Sequence, residues 1–500
     1  MHKPRNPPTF LRRFNLRLLF AAVLLSCVGY YAGRLSTLPS DLPSSNVLVH
    51  KAEIQELEAR PVHLNGLPTQ AFRGTSRTLS LSPQSDWNVD NLRDDVQYIT
   101  SWPGTGYTND LIGYMHLIYL ALLTERVPIV PFFTPTHVSY KSPNPVPPID
   151  FGVMFDVPRL SKALGIPILE WWQVKVRAYP NLVALRLYDT QDKNSTTLDS
   201  LGCWSIWKGV RPTHKDPHPS TAPGILHLVL TFLSDISWTT PPSWIKLVKE
   251  DPNEPHAKFT SLMALSFPDM RKKNLRTPTP SPRLKLSLPP DEQLMCLDHM
   301  YWVANVVPHE YMEEFSTGWR LVGKHLHWNP RVEALAREYT RQSLGLLENE
   351  AIPPISLTQY IAVHVRHGDF GAWCTRPLNE CFAPLSAYAL RVDEVKEELK
   401  TKKGISVEHV ILTSDETDGA FWEEAKGFGW HRVDHDRGRT IEKYGRWYPL
   451  ILDAAIQSGG VGMVGSKLST VSLIAAHRVR AWQGGVVRIV KWGKPGADDH

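Results

Sequence analysis

The residues best suited to bind a phosphate follow a short apolar run in the last third of the chain. The run Ile361–Val365 (IAVHV) predicts a buried strand, and Arg366 comes directly after it. A guanidinium presents a planar fork of N–H groups that matches phosphate oxygens, so Arg366 could neutralise the charge that develops on a departing diphosphate. The competing interpretation is structural, an ion pair between Arg366 and Asp369.

The start of a later helix offers further donors to the same phosphate. Val461–Gly465 predicts a buried strand, and the helix predicted from Ser466 to Arg480 contains Ser469 and Thr470 near its start. Backbone N–H groups at a helix N-terminus carry partial positive charge and bind anions. In the alternative interpretation, Ser469 serves only as the N-cap of that helix.

Two carboxylates complete this set of candidates. Asp415 follows the predicted strand Glu408–Thr413, so we expect it at the same edge of the sheet as Arg366. Asp453 lies in the apolar sequence LILDAAIQ, where a carboxylate is costly unless it binds something. A carboxylate can accept both N–H groups of a guanine edge, which would select GDP over UDP. A hydrogen bond from Asp453 to a neighbouring helix is the alternative.

A glycine turn lies near the beginning of the folded part. Val96–Thr100 predicts a strand, and the turn that follows contains Gly104 and Gly106. Leu111–Leu123 is apolar on nearly every side, which predicts a buried helix, and Val127–Pro131 predicts the next strand. Together they form a βαβ unit and imply a parallel sheet. Glycine lets backbone approach a ligand, although such turns also occur without one.

Strands and helices alternate through the C-terminal part of the chain. This alternation predicts an α/β fold with a second doubly wound unit, in which ligands bind beyond the carboxyl ends of the strands. The remaining predicted elements are helices at Val332–Leu347, Leu390–Lys402, Phe421–Gly427 and Tyr448–Gln457, and a strand at Val486–Val490.

The length of the chain predicts more than one folded unit. At 500 residues it exceeds one ordinary core, and we expect Rossmann-like domains at 91–345 and 346–500. Residues 34–90 are rich in Ser, Pro and polar residues, which is typical of a stem that buries no core of its own. Lys272–Pro290, with several Pro and basic residues, predicts a surface loop.

The N-terminal segment predicts a membrane anchor. The uncharged run Leu18–Gly33 lies between Arg17 and Arg34, and the preceding basic residues favour a cytoplasmic tail at 1–17. We therefore expect a single-pass type II protein of the Golgi or ER membrane with a luminal catalytic part. The N-glycosylation sequon at Asn194 is compatible with a luminal location of this part of the chain. A cleaved signal peptide and a buried helix of a cytosolic protein are the alternatives.

The cysteine count is compatible with disulfides. Of the 5 Cys, Cys27 falls in the predicted anchor, which leaves an even number for the lumen. Cys374 and Cys381 are close enough to close a small loop, and Cys203 could then pair with Cys296. Four buried free thiols are the alternative.

Composition argues against several classes of partner and ligand. A net charge of +5 gives no case for nucleic acid, although a mildly basic surface suits an anionic small substrate. Asp434-His435-Asp436 has the spacing of an Asp-x-Asp metal motif, but such triplets arise by chance, and no His-Glu-x-x-His occurs. We expect no metal.

Many tryptophans lie between residues 150 and 342. Exposed aromatic rings could stack on a sugar, but core packing is the interpretation that we favour for most of them. They are Trp171, Trp172, Trp204, Trp207, Trp238, Trp244, Trp302 and Trp319.

Three of these segments together resemble one known family. His364-Val365-Arg366 with Asp369 resembles the His-x-Arg motif of the GDP-fucose O-fucosyltransferase superfamily, which includes protein O-fucosyltransferases and α1,6-fucosyltransferases. Ile451–Ser472 is similar to the last donor-binding motif of that family, and Gly104–Asp110 resembles its Gly-x-x-Asn turn. The resemblance implies a GT-B architecture, with two Rossmann-like domains facing across a cleft. It also implies an inverting, metal-independent transfer of fucose from GDP-fucose to a protein or glycan acceptor, without a cofactor.

The resemblance also implies roles for individual residues. Arg366 would hold the β-phosphate, Ser469 and Thr470 would bind the diphosphate, and His364 would lie at the ribose and its phosphate. Asp453 would recognise guanine. The domain at 346–500 would then be the donor side and the domain at 91–345 the acceptor side.

The early turn matches the family only in part. Asn109 would lie beside the fucose and the phosphate, and Asp110 is a candidate base by position, although it could cap the helix instead. Some family members carry a catalytic Glu in this turn, where this chain has Thr105. His367 stands where the family often has Arg or Asn. These departures leave two other hypotheses open: a transferase of the same fold with another nucleotide sugar, and a non-catalytic luminal binding protein.

Overall fold

The structure is a computed structural model. It describes residues 91–499 apart from 103–104, 136–137, 139–145, 175–198, 211–233, 252–253, 283 and 347–358. The expected tail, anchor, stem, sequon and Gly104 therefore lie outside the described residues. Among the residues that are described, no helix is both long enough and apolar enough to cross a membrane.

The first half of the described chain is built on a parallel sheet. Six strands pair in the order β3-β2-β1-β7-β4-β5, and a separate pair joins β6 to β8. The order reverses beside β1, which pairs in parallel with both β2 and β7. The strands are β1 (Tyr98–Ser101), β2 (Val127–Val130), β3 (Leu169–Glu170), β4 (Asp199–Trp204), β5 (Ser234–Thr239), β6 (Ala257–Lys258), β7 (Leu294–Leu297) and β8 (Val303–Ala304).

The helix after β1 is the central helix of this half. It begins at Tyr107, four residues before the predicted start, because Gly106 supplies the extended N-cap and the first turn is also buried. Burial on nearly every side confirms the prediction from its apolar sequence. The helices here are α1 (Tyr107–Thr124), α2 (Phe151–Met154), α3 (Val157–Leu164), α4 (Trp171–Val174), α5 (Ile206–Val210), α6 (Phe259–Ala264), α7 (Pro268–Asn274), α8 (Thr317–Leu321) and α9 (Pro330–Ser343).

The second half contains a second parallel sheet. Its five strands pair in the order β11-β10-β9-β12-β13, so chain order reverses between β9 and β12. The two sheets with their helices confirm the predicted mixed α/β fold. The strands are β9 (Tyr360–Val365), β10 (His409–Ser414), β11 (His431–Arg432), β12 (Gly462–Ser466) and β13 (Val486–Val490).

The helices of this half lie close to the predicted positions. The largest difference is the helix predicted from Leu390, which begins at Leu385 after the N-cap Pro384 and buries Tyr388 in the added turn. The helix expected from Ser466 begins at Thr470, because Ser469 caps it. The helices are α10 (Leu378–Cys381), α11 (Leu385–Lys403), α12 (Gly419–Gly427), α13 (Thr440–Tyr444), α14 (Tyr448–Gly459) and α15 (Thr470–Gln483).

Helix α15 packs directly against the first half. The ring of His477 stacks on Trp319 with centroids 4.9 Å apart, and Trp482 Nε1 donates to the carbonyl of Lys324 at 2.7 Å. The guanidinium of Arg478 lies 4.2 Å from the ring centroid of Trp328. The same helix therefore belongs to the second sheet and forms the contact with the first.

Two disulfides form as predicted. Cys203 in β4 pairs with Cys296 in β7, which joins neighbouring strands across a sequence separation of 93 residues. Cys374 pairs with Cys381 at a separation of 7 residues and closes the loop that follows β9. The tryptophans of the middle region are mostly buried in the core, although Trp172 remains 46% exposed.

Replacement of both cysteines by alanine should destabilise the protein more at the long-range pair than at the short one. The chain-entropy model gives about 4–5 kcal/mol for the separation of 93 residues and about 2–3 kcal/mol for 7. Thermal unfolding of Cys203→Ala/Cys296→Ala and Cys374→Ala/Cys381→Ala measures the difference. A reversed order would contradict this account.

Candidate functional site

The carboxyl ends of β9 and β12 meet where the strand order reverses. In a doubly wound sheet this is the point at which ligands bind. The backbone N–H of Arg366 donates to Ser466 Oγ at 2.9 Å, which ties the two strand ends together. The hydroxyl of Tyr388 also lies 2.7 Å from Ser466 Oγ, so α11 fixes the same serine from beneath. The sequence predicts no role for Tyr388, and it places Ser466 only at the start of a predicted helix, because the contacts of both residues are made across elements that are distant along the chain.

Arg366 is held by two carboxylates. Its guanidinium donates to Asp369 and to Asp415, so the ion pair expected as the structural alternative is present together with a second one. Asp415 also accepts the backbone N–H of His367 at 2.9 Å, which fixes its position at the end of β10. Only 22% of the Arg366 side chain is exposed, against 56% for Asp369. The guanidinium is thus oriented at the sheet edge, and its charge is neutralised.

Residue 368, which lies between His367 and Asp369, must be glycine. Gly368 has φ +31°, and a Cβ at this position would collide with Oδ2 of Asp415. A side chain here would therefore displace the carboxylate that orients Arg366.

His364 is buried beneath the phosphate candidate and does not face solvent. Its Nδ1 lies 2.7 Å from Ser472 Oγ, and that hydroxyl accepts the backbone N–H of Ser466 at 3.0 Å. Burial, with a smaller effect from the positive charge of Arg366, lowers the pKa of His364 from 6.5 to about 3. A neutral imidazole therefore connects β9 to the first turn of α15.

The N-termini of α1 and α15 meet close to Ser472. The side chain of Ser469 accepts the N–H of Ser472 at 3.3 Å, as expected of an N-cap. Thr470 Oγ1 lies 2.7 Å from Thr108 Oγ1, in the first turn of α1. Leu468, just before the cap, has φ +68°, a conformation that costs a non-glycine residue free energy and often marks a functional site. The partial positive charges of α1 and α15 therefore converge at one place.

Asp110 closes the glycine turn at the start of α1. Its Oδ1 accepts both the backbone N–H of Thr105 at 3.0 Å and the Thr105 hydroxyl at 2.9 Å. Only 3% of Asp110 is exposed. In this conformation the carboxylate supports the turn that precedes the helix. It does not cap the helix, whose N-cap Gly106 has no side-chain cap bond, and its role as a base stays a prediction.

Asn109 carries a buried polar atom that no described residue satisfies. Its Oδ1 has no hydrogen-bond partner among the described residues. Buried amide oxygens in native proteins are nearly always bonded, so such an atom points to a missing ligand or water. Asn109 is the neighbour of Thr108, at the place where α1 meets α15.

Asp453 is paired with a histidine. Its Oδ1 lies 2.9 Å from Nε2 of His435, and Nδ1 of that ring lies 3.1 Å from Thr440 Oγ1. His435 is the central residue of the Asp-x-Asp triplet, while Asp434 accepts the backbone N–H of Arg437 at 2.8 Å. Within the described parts of the chain, no group of three or more His, Cys, Asp or Glu could hold a metal ion.

A second pair of a histidine and a carboxylate was not predicted from the sequence. His367 Nδ1 lies 2.8 Å from Glu416 Oε2, and its ring stacks on Phe382 with centroids 4.2 Å apart. Burial raises the pKa of Glu416, but hydrogen bonds from His367 and from the N–H groups of Asp418 and Thr417 outweigh it, so the net shift is downward. Only the adjacency of His367 to Arg366 signalled this pair in the sequence.

Comparisons with known proteins give structural similarity at low sequence identity. No family model and no curated protein matches the sequence. POFUT1 in complex with GDP-fucose is similar at 15% identity and TM-score 0.45, covering 79% of this chain and 98% of that one. NodZ α-1,6-fucosyltransferase co-crystallised with GDP is similar at 13% identity and TM-score 0.35, covering 80% and 96%. A mutant of Arabidopsis thaliana FUT1 in complex with GDP is similar at 12% identity and TM-score 0.34, covering 90% and 80%.

These solved structures are fucosyltransferases, the group that the His364–Arg366 segment resembles. These three TM-scores are all below 0.5, so the likeness carries no argument for function, and the support for the function proposed below comes from the sequence and the contacts of this chain.

The buried His364 makes stability sensitive to acid. Its folded pKa lies below the unfolded value, so the unfolded chain takes up a proton first, and stability present above pH 6.5 is lost as the pH falls towards 3. When the pH falls from 7 to 5, the free energy of unfolding should decrease by about 2 kcal/mol more in the parent protein than in His364→Gln. Urea unfolding at both pH values measures this. His409→Gln, at the opposite end of the neighbouring strand, is the control, and an equal loss in parent and His364→Gln would contradict the prediction.

Proposed function

We propose that this protein is a glycosyltransferase that transfers fucose from GDP-fucose to a hydroxyl of a protein or glycan acceptor. In this proposal the two sheets form the two halves of a GT-B architecture, and the reaction is inverting and needs no metal. The second half binds the donor, and the first half presents the acceptor. In this proposal the diphosphate of the donor binds at the sheet edge that carries Arg366, next to the start of α15.

One observation carries the proposal, the contact between Thr108 and Thr470 at 2.7 Å. It brings the N-termini of α1 and α15 together beside the strand ends of β9 and β12. Two converging helix N-termini with an adjacent arginine form a strong site for a polyanion. A nucleoside diphosphate supplies that charge, and the unsatisfied Oδ1 of Asn109 offers an acceptor for a sugar hydroxyl.

Diphosphate binding would exchange partners at Arg366. The more exposed carboxylate, Asp369, is the one that a phosphate displaces, because Asp415 is also held by the N–H of His367. A guanidinium that already points to the strand edge needs little reorganisation to accept phosphate oxygens. Asp415 would then keep the arginine oriented while the phosphate replaces Asp369.

Transfer breaks the bond between C1 of fucose and the β-phosphate oxygen, and the acceptor hydroxyl forms a new bond to C1 from the opposite face. The electron pair of the broken bond goes to the phosphate, where Arg366 and the helix N-termini stabilise it. The acceptor proton must go to a base. The Oδ1 of Asp110 is held by Thr105, and the hydroxyl attacks from the face opposite the leaving phosphate, so we assign the proton to a water molecule on the acceptor side, which passes it to solvent.

Asp453 would recognise the base of the nucleotide. His435 holds Oδ1, which orients the carboxylate and leaves Oδ2 for the N–H groups of guanine. The side chain is 24% exposed, so a ligand can reach it. Uracil lacks that pair of donors, and GDP would be preferred over UDP.

A non-catalytic nucleotide-binding protein is the second candidate function. The observation that favours it is Thr105, which stands where some relatives of the resembled family carry a catalytic Glu, and which binds Asp110. Such a protein would bind GDP-fucose without turnover.

The proposed compartment is the lumen of the ER or Golgi, with a single N-terminal anchor. The two disulfides support an oxidising compartment. The sequence of Leu18–Gly33 supports the anchor.

Replacement of Arg366 should abolish most GDP binding. Loss of a charge-assisted phosphate contact costs about 1.5–3 kcal/mol, or roughly 10- to 150-fold in affinity. Calorimetric titration of Arg366→Ala with GDP, with and without EDTA, measures the loss and its independence of metal. Arg488→Ala is the matched control, since Arg488 is also held by two carboxylates, Glu394 and Glu398, but lies within β13. Equal GDP binding by all three proteins, or binding that EDTA removes, would contradict the proposal.

Asp453→Asn should reduce the preference for GDP over UDP. An amide keeps one acceptor and adds a donor, so it cannot accept both guanine N–H groups in the same way, and we expect about a tenfold weaker GDP affinity. UDP affinity should stay unchanged. The measurement is competition of GDP and UDP on the variant, with Asp434→Asn as the control, since Asp434 is the chain neighbour of His435, the partner of Asp453. A parallel loss for both nucleotides would show that Asp453 is structural.

A further inference from the structure

The loop after Arg366 carries an aromatic platform, which we define as Phe370, Trp373 and Trp492. Phe370 stacks on Trp373 with centroids 4.4 Å apart and on Trp492 at 5.3 Å. The two indoles are nearly parallel, with an interplanar angle of 14° and centroids 6.3 Å apart. Phe370 is buried, whereas Trp373 is 41% exposed. Trp492 is half-buried, so the exposed part of the platform is mainly the indole of Trp373, which is a candidate for ligand contact because the two other rings hold it in place.

The platform is fixed to the proposed donor site by two contacts. The guanidinium of Arg366 lies 5.4 Å from the centroid of Phe370. Trp492 Nε1 donates at 2.8 Å to the carbonyl of Lys467, in the loop that leads into α15. A ligand on the exposed indole of Trp373 would therefore lie next to the phosphate that leaves in the proposed reaction.

The platform is also rigid. The Cys374–Cys381 disulfide closes the loop directly after Trp373, and the N–H of Gly493, next to Trp492, donates at 2.7 Å to the carbonyl of Cys381. A surface held in advance loses little conformational entropy on binding. Such a surface suits a ligand with a flat apolar face.

We propose that the platform binds an oligosaccharide, which makes the acceptor of the proposed transferase a glycan. This inference rests on the proposed function. A pyranose with equatorial hydroxyls presents a flat C–H face to an indole and keeps its hydroxyls at the rim. Charged groups at that rim can hydrogen-bond these hydroxyls: Asp369, whose side chain is 56% exposed, and the exposed Lys467. The indole faces give affinity, and the polar rim sets which hydroxyl points towards the donor.

The test uses the full-length protein with cellotetraose and chitotetraose as probes. Oligosaccharide binding is followed by tryptophan fluorescence and by calorimetry, and turnover by release of GDP from GDP-fucose. Loss of one ring contact should weaken oligosaccharide affinity about tenfold in Trp373→Ala, while Trp373→Phe retains most of it. GDP affinity should stay unchanged in both variants. Trp172→Ala removes an equally exposed indole of the first half and is the matched control.

The outcomes separate the two proposals. If the parent protein binds neither GDP nor GDP-fucose, the proposed function fails. If GDP binds but neither oligosaccharide does, or Trp373→Ala binds them like the parent, the glycan inference is overturned. Turnover that requires a folded disulfide-bonded protein domain, and that is unaffected by Trp373→Ala, would also overturn it.

Discussion

The structure depends on where helix α15 begins. Ser472, in its first turn, contacts His364 and accepts the backbone N–H of Ser466. Thr470, the first residue of the helix, contacts Thr108 of the other half. If this start moved, the strand end carrying Arg366 would lose its link to β12 through Ser466. A buried neutral histidine, a serine shared between two elements and a pair of threonines thus position the charges of the whole site.

In the proposed function the site receives a strong anion, although the carboxylates around Arg366 outnumber it. Arg366 is opposed by Asp369 and Asp415, and Glu416 lies on the neighbouring His367. Weak anions cannot compete with two carboxylates for one guanidinium. A diphosphate with several negative oxygens can, because it also gains the partial charges of two helix N-termini. Such an arrangement favours polyphosphates over single small anions.

The sequence was sufficient where local chemistry decides structure. Apolar runs predicted β9, β10, β12 and β13 to within a residue or two, and the alternation of strands and helices predicted parallel sheets. The sequence did not predict which side chains pair when they are distant along the chain. The bond from Asp453 to His435 depends on how the loop after β11 packs, and Asp415 meets Arg366 only because β10 and β9 are neighbours. Periodicity identifies a buried face but does not say which polar partners meet across it.

Arg478 places a buried charge where the two halves meet. It is 1% exposed, and burial lowers its pKa to about 10, so it stays charged. Among the described residues its Nε and Nη2 have no acceptor, but the guanidinium interacts with the side chain of Tyr107. It also lies against the ring faces of Trp328, Trp482 and Phe155. Trp482 belongs to the second half and the other three residues belong to the first, so the contact between the halves encloses a cation that both halves help to hold.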